Sequence, residues 1–335
     1  SHKPQQKLRV LSQLPVTMGS PPTPILDLSA LGVMLRSAAP EAIAFAFTSA
    51  LGALVLARML MTFLGGFTRY FLRPGKNLRK SYGDWAVVTG ATDGIGKAFA
   101  EQLAARRVNV VLVSRTQAKL EELAKALEDK YKVQTRVLAI DFARTEPATW
   151  RGVSECVGGL DVGILINNCG MSYPHAEFLD KLDEATEDAI IAVNVQSTTK
   201  MIRAVLPKLL EKKRGVVLNI GSGAATVLPS DPLYSVYAAT KGYVDQLTRS
   251  LAVEYAGKGI HFQLQAPLYV ATKMAKIRRA SLTVPSATTF AKAALGQIGY
   301  ETVLTPYWVH AIMWSVINSL PTAFVDSQRL KMCLG

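Results

Sequence analysis

From Asp84 onward, short β-branched runs alternate with amphipathic stretches, and this alternation limits the chain more than any other feature. The runs are AVVTG (86–90), VNVVLVS (108–114), TRVLAID (135–141), VGILINN (162–168), GVVLNIG (215–221) and IHFQLQA (260–266). Helical periodicity recurs between them, near 95–106, 116–130, 184–212 and 233–257. Nearly continuous apolar runs suit strands that are covered on both faces, and such strands belong to parallel sheets. Each parallel pair needs a crossover, which the intervening helical stretches supply. The pattern therefore predicts an α/β, doubly wound parallel sheet, in which ligands bind outside the carboxyl ends of the strands.

The front of the chain has a different character. Residues 42–67, AIAFAFTSALGALVLARMLMTFLGGF, are apolar or small except for Arg58. A bilayer core asks for about 20 apolar residues as helix. A buried core helix would show a polar face and a signal peptide would sit nearer the start, so a transmembrane anchor is the expectation. Five cations follow directly (Arg69, Arg73, Lys76, Arg79, Lys80), against Arg36 alone over 22–41. This bias puts everything after residue 68 on the cytoplasmic side. It also explains the net charge of +13: residues 1–80 supply +8 of it, leaving +5 over the other 255. A basic patch for nucleic acid is therefore not expected. Cys156, Cys169 and Cys333 are too few for a disulfide framework and stand at no metal-ligand spacing, which fits a reduced compartment and no metal site. The expected organisation is a flexible lead over 1–41, the anchor over 42–67, a basic juxtamembrane linker over 68–81, the α/β domain over 82–300 and an apolar C-terminal segment over 301–335.

The first strand runs into Thr89-Gly90-Ala91-Thr92-Asp93-Gly94-Ile95-Gly96, a glycine-rich loop that opens a helix. Gly90 permits the tight turn, Gly94 lets backbone approach a pyrophosphate, and Gly96 lets helix and strand pack closely. The free N–H groups of the helix start would face the phosphates. This is the Rossmann-like arrangement, and its context of strand before and helix after is the one dinucleotide binding requires. The second strand ends at Ser114-Arg115, where an NAD-selecting chain would place an acid for the ribose hydroxyls. A guanidinium there suits a 2′-phosphate, so NADPH is favoured. Asp141 can accept from an adenine amino group or cap the next helix. Asn167-Asn168-Cys169-Gly170, at the fourth strand end, suits backbone approach to a cofactor or a turn.

Tyr237-Ala238-Ala239-Thr240-Lys241 sets a phenol and an ammonium four residues apart, hence on one helix face. A nearby cation favours phenolate and lowers the tyrosine pKa. Ser222, just past the fifth strand, can bond a substrate carbonyl, and Asn194 can hold a proton-relay water. Each has an ordinary structural reading as well. Tyr234 lacks a lysine partner, since Ala238 follows it at that spacing.

Taken in order, T-G-x-x-x-G-I-G, N-N-x-G, Asn194, Ser222 and Y-x-x-x-K resemble the short-chain dehydrogenase/reductase superfamily over about residues 82–275. The resemblance implies a catalytic tetrad of Asn194, Ser222, Tyr237 and Lys241, with Tyr237 protonating the carbonyl oxygen and Lys241 lowering its pKa. Cofactor contacts are implied for Gly90, Thr92, Asp93, Gly94, Ile95, Gly96, Ser114, Arg115, Asp141, Asn168, Gly170, Tyr237, Lys241, Pro267, Val270 and Thr272. A narrower likeness rests on the anchor, on Leu218–Ala225 and on Pro267–Met274. It is to the very-long-chain 3-oxoacyl-CoA reductases of the endoplasmic-reticulum fatty-acid elongase, plant-type, a group that includes 17β-hydroxysteroid dehydrogenases. It implies an acyl-CoA substrate, a lipid environment and the other elongase subunits (condensing enzyme, dehydratase, enoyl reductase) as partners. Reduction of estrone and a non-catalytic NADP-binding scaffold are the competing readings. Cys169 stands where many relatives have Ala, and the spacing of Ser222 and Tyr237 implies a longer rim loop at Pro229–Pro232.

Beyond Pro267 the sequence predicts a lid carrying Lys273, Lys276, Arg278 and Arg279. These cations can receive CoA phosphates, Arg278 and Arg279 being the substrate contacts expected beside Ser222 and Tyr237, or can form a solvated face. Residues 302–325 are apolar but broken by Pro306, His310, Asn318 and Pro321. They are read as an interfacial or re-entrant element, with a flap packed on the domain as the alternative. His310 is expected to be interfacial or hydrogen-bonded, with no catalytic part.

Overall fold

The structure, a computed structural model, describes residues 39–334, so almost all of the lead expected over 1–41 lies outside the described residues. The chain divides after Gly66 into a helical unit and an α/β unit.

In the first unit, helix α1 (Pro40–Phe67) buries none of its residues against protein. Phe45, Leu54, Leu56 and Phe63 are all two-thirds exposed or more. At 1.5 Å per residue its 28 residues reach about 42 Å, more than a hydrocarbon core needs. The hydroxyls of Thr48 and Thr62 return to the carbonyls of Ala44 and Arg58, which leaves no polar side-chain atom of theirs without a partner in an apolar surrounding. It is a candidate transmembrane span.

The second unit opens on a strap rather than a free linker. Arg69 and Arg73 both pair with Glu301, at 3.0 and 2.7 Å, and the Tyr70 hydroxyl donates to the Thr305 carbonyl. The Phe71 ring lies 5.8 Å from that of Trp308. A short helix, α2 (Leu78–Tyr82), leads from it into the sheet.

The sheet is parallel throughout: β1 (Trp85–Thr89), β2 (Asn109–Ser114), β3 (Thr135–Ala139), β4 (Val162–Asn167), β5 (Gly215–Ile220), β6 (Ile260–Gln265) and β7 (Val303–Leu304), in the order 3-2-1-4-5-6-7. Its central strands are buried on both faces because successive side chains point to opposite layers. Ala86 and Val88 join Phe99, Leu103, Leu120 and Phe290 on one side, while Trp85 and Val87 join Val153, Val205 and Leu209 on the other. The first layer is built from α3 (Gly94–Ala105), α4 (Gln117–Tyr131) and α10 (Ala287–Gly296). The second is built from α5 (Pro147–Gly158) and α7 (Ser197–Lys212), the latter entered through α6 (Glu184–Ile191) and a π-turn at Ala192–Gln196. Fully buried Phe or Leu side chains each contribute about 2 kcal/mol by leaving water. Strand order reverses between β1 and β4, so a crevice opens at the carboxyl ends of those two strands.

The six predicted strands are present, each within one or two residues of its run. The seventh has no counterpart among those runs, because two residues give no periodicity to read. The C-terminal stretch read as interfacial or re-entrant forms α11 (Trp308–Ser319) and α12 (Thr322–Leu334), broken at Leu320-Pro321. Val309, His310 and Val325 are buried against the domain, while Ile312, Val316 and Phe324 stay exposed.

Candidate active site

The loop after β1 has the geometry its glycines suggest. Gly90 and Gly94 take φ of 66° and 52°, a left-handed region that favours glycine. A Cβ on Gly96 would lie 2.1 Å from the Gly90 carbonyl oxygen, so only glycine lets α3 start this close to β1. Asp93 caps that helix by accepting from Gly94 N–H at 2.8 Å. Ile95 is packed against the first-layer core. The Thr92 and Ser114 hydroxyls are bonded at 2.8 Å, joining the glycine loop to the end of β2. Arg115 beside them is exposed. Asp141 is exposed and accepts from Ala143 N–H, closing a local turn. It does not cap the next helix, because Glu146 makes the capping box of α5. These residues present a cradle with backbone donors, a hydroxyl pair and a cation, and they fit a phosphorylated dinucleotide.

Across the switch point, Asn168 donates to the Thr89 carbonyl at 3.0 Å, and the backbone N–H groups of Asn168 and Cys169 both reach the Thr89 hydroxyl. Thr89 thus fixes the ends of β1 and β4 together. The sequence places Thr89 at the head of the glycine-rich motif but does not show this bracing role, which depends on the end of β4. Asn219 is inconspicuous. Asn167 donates to it, and it donates to Thr248, both at 2.9 Å, making a buried polar ladder from β4 through β5 to α9 (Ser235–Glu254). Its only trace in the sequence is a polar residue inside an apolar run.

Tyr237 and Lys241 lie one turn apart on α9. Ser222 acts on the Tyr237 phenol and lowers its pKa, and the Ser222 hydroxyl accepts from Ala224 N–H at 3.2 Å at the start of α8 (Gly223–Thr226). Lys241 is 6% exposed and donates to the Ile220 carbonyl at 2.9 Å. Its ammonium sits 5.9 Å from the Tyr237 ring centre. Burial brings the Lys241 pKa down to about 8, with Cys169 opposing. Burial is also the leading cause at Tyr237, and there it raises the pKa against the opposing effect of Ser222. Cys169, packed beside Lys241, has its thiol pushed up to about 11 by burial.

Asn194 is buried on the π-turn, a helix irregularity that recurs at functional sites. Its amide donates to the Met171 carbonyl and the Thr240 hydroxyl, both at 2.9 Å, and its oxygen accepts from Met171 N–H at 2.8 Å. Both side-chain N–H donors are thus occupied, and the side chain's work is to lock the loop after β4 onto the Tyr237 helix. Gly170 lies within that lock, since a Cβ there would stand 3.3 Å from the Lys241 ammonium.

Past β6, the Pro267 carbonyl accepts from Gly223 N–H at 2.8 Å, Val270 is buried, and Thr272 approaches Gly94. The segment after it is turns rather than helix. Lys273 pairs with Asp93 at 3.1 Å and Lys276 donates to the Pro174 carbonyl, while Arg278 and Arg279 are exposed. His310, 0% exposed, accepts from Leu268 N–H and faces the Thr283 carbonyl through its other nitrogen at 3.1 Å. It staples α11 to the segment that carries Val270 and Thr272.

Residues 84–282 match the short chain dehydrogenase family model. A very-long-chain 3-oxoacyl-CoA reductase-like protein of Arabidopsis thaliana is 43% identical over 294 residues, covering 86% of this chain and 93% of its own. The very-long-chain 3-oxoacyl-CoA reductase of Rattus norvegicus is 45% identical over 241 residues, covering 71% and 76%. Among solved structures, a short-chain dehydrogenase from Sphingobium yanoikuyae in complex with NADPH superposes with a TM-score of 0.61 at 30% identity, covering 70% of this chain and 92% of that one. With the sheet order, the glycine loop and the phenol–ammonium pair in place, these matches show that the chain belongs to the short-chain dehydrogenase family.

Proposed function

We propose that this chain is an oxidoreductase that reduces very-long-chain 3-oxoacyl-CoA to 3-hydroxyacyl-CoA with NADPH, in microsomal fatty-acid elongation. One juxtaposition carries the reading. Ser222, Tyr237 and Lys241 converge at the carboxyl ends of the strands, beside the glycine loop, in a chain that matches enzymes named for this reaction over most of its length. The absence of an acid at Ser114-Arg115, and the exposed guanidinium there, support a 2′-phosphate on the cofactor.

When bound, NADPH supplies the hydride for the carbonyl carbon. Tyr237 gives its proton to the carbonyl oxygen as the C–O double bond opens. A phenol held above its ordinary pKa stays protonated through neutral pH, which is the form a donor needs. Ser222 hydrogen-bonds the same oxygen and orients it. Lys241 places a charge beneath the phenol and stabilises the phenolate left behind, and Asn194 holds the surrounding loop. Gly90, Gly94, Gly96, Asn168, Pro267, Val270 and Thr272 shape the cofactor channel. Arg278 and Arg279 are assigned to the CoA phosphates; Lys273 and Lys276 are engaged elsewhere, which narrows the expected four cations to two. With α1 as the anchor, the domain sits on the cytosolic face of the endoplasmic reticulum, beside the other elongase subunits.

The test is NADPH oxidation by the detergent-solubilised protein with a long-chain 3-oxoacyl-CoA and estrone in parallel, beside Tyr237→Phe. Turnover of the acyl-CoA that disappears in the variant is expected. Turnover of estrone alone would transfer the activity to steroids, and NADPH binding without turnover of either would leave a scaffold.

A further inference from the structure

Helix α12 reaches back to the loop that leads into the Tyr237 helix. Arg329 Nε meets Asp231 Oδ1 at 2.5 Å, and the two side chains are only 13% and 4% exposed. The same guanidinium donates through Nη1 to the Tyr269 hydroxyl at 3.1 Å and lies 5.8 Å from the centre of the Tyr234 ring. One turn earlier, Asp326 accepts from Ser230 at 2.5 Å.

What this guanidinium holds is close to the chemistry. Tyr234 N–H bonds the Asp231 carbonyl, and Tyr234 is the residue from which α9 starts, three before Tyr237. Leu233 between them has a φ of 64°, a conformation a leucine keeps only where its surroundings impose it. The turn is also held from the other side. Glu177 N–H bonds the Leu233 carbonyl, Tyr173 accepts from Val236 N–H, and the Tyr173 and Tyr234 rings lie 5.5 Å apart.

A buried ion pair is a poor source of net stability, because desolvating two charges offsets most of their attraction. Two apolar side chains would fill the space as well, but they would not hold a phenol and a strained turn in one geometry. We propose that Arg329 is a positioning residue: from the C-terminal helix it fixes Asp231 and Tyr269, and through them the substrate mouth and the first turn of the Tyr237 helix. The assignment of that mouth to acyl-CoA rests on the reading above; the positioning of the turn does not.

The test uses the full-length protein in detergent and three variants: Arg329→Met, Arg329→Lys, and the double replacement of Asp231 by Leu and Arg329 by Met. The double variant removes both charges and keeps apolar volume, so it separates positioning from folding. Its thermal midpoint and its NADPH affinity by fluorescence are expected to match the parent. Amide exchange over 230–241 is expected to quicken about tenfold with exchange over 94–105 unchanged, and KM for a long-chain 3-oxoacyl-CoA to rise roughly tenfold with kcat altered less than threefold. Arg329→Lys keeps the charge and lacks the planar fork, so its KM falls between the two. Parent-like exchange and KM in the double variant would overturn the proposal, as would a loss of thermal stability and NADPH affinity together, which is the mark of a purely structural pair. Exchange and NADPH binding need no acyl-CoA, so they decide the matter even if the substrate reading fails.

Discussion

The cleft around Lys241 and the clasp around Arg329 each bury a cation, and they do so on opposite terms. Lys241 has no carboxylate partner among the described residues; it donates to a backbone carbonyl, and burial takes its pKa down to about 8. Arg329 is also penalised by burial, but the bond to Asp231 outweighs that and holds the guanidinium above its ordinary value. A cation buried without an opposite charge weakens the fold, so its presence asks for a chemical reason. A cation buried against a carboxylate is balanced within the structure, and what it offers is geometry.

Lys241→Met separates the two buried cations most sharply. Loss of the ammonium is expected to cut turnover by about 10³-fold, within the range for removing acid–base machinery. The same change is expected to raise stability at neutral pH. A lysine whose folded pKa is about 8 instead of 10.5 costs roughly 3 kcal/mol wherever it must be charged. The sign is specific: the cost is present below pH 8 and disappears as pH rises towards 10.5. Urea midpoints of parent and variant should therefore converge between pH 8 and 10.5, and parallel curves would contradict the account.

Arg329→Met should do the reverse. It leaves Asp231 buried and alone, and a cost of about 3–5 kcal/mol in urea unfolding is expected, largely recovered when Asp231 is replaced as well. Asn219→Ala tests the polar ladder that lies under the cleft and under no part of the clasp. It strands the Asn167 amide donor, while Thr248 keeps its bond to the Val244 carbonyl, and a loss of about 2 kcal/mol is expected with the KM for NADPH unchanged.

The smallest effect belongs to His310. Burial lowers its pKa below the ordinary 6.5 against the opposing backbone of Thr283 and Tyr269, and only the neutral ring can accept from Leu268. Its contribution is complete above pH 6.5 and declines as pH falls through the folded value. His310→Phe should flatten the stability profile on the acid side of pH 6.5. An unchanged acid slope would show that the staple is not what titrates.

Much of the cleft is legible in the sequence. The glycine loop, Ser222 and the Tyr237–Lys241 spacing are local patterns, each complete within a few residues, and periodicity alone places them at strand ends and on a helix. The groups that stay hidden are those whose meaning depends on distant partners. Thr89 matters because the β4 end folds onto it, Asn219 because α9 passes over β5, and Arg329 because a helix nearly a hundred residues away in sequence returns to Asp231.

The parallel sheet, the anchor-like helix and the cofactor loop each follow from the period and composition of a short stretch. Long-range packing adds what no short stretch carries: the strap at 67–80 is docked through Glu301, the broken apolar tail packs as two helices, and Arg329 near its far end pairs with Asp231. Those outcomes turn on desolvation and on pairing between remote side chains, and neither quantity exists until the chain has folded.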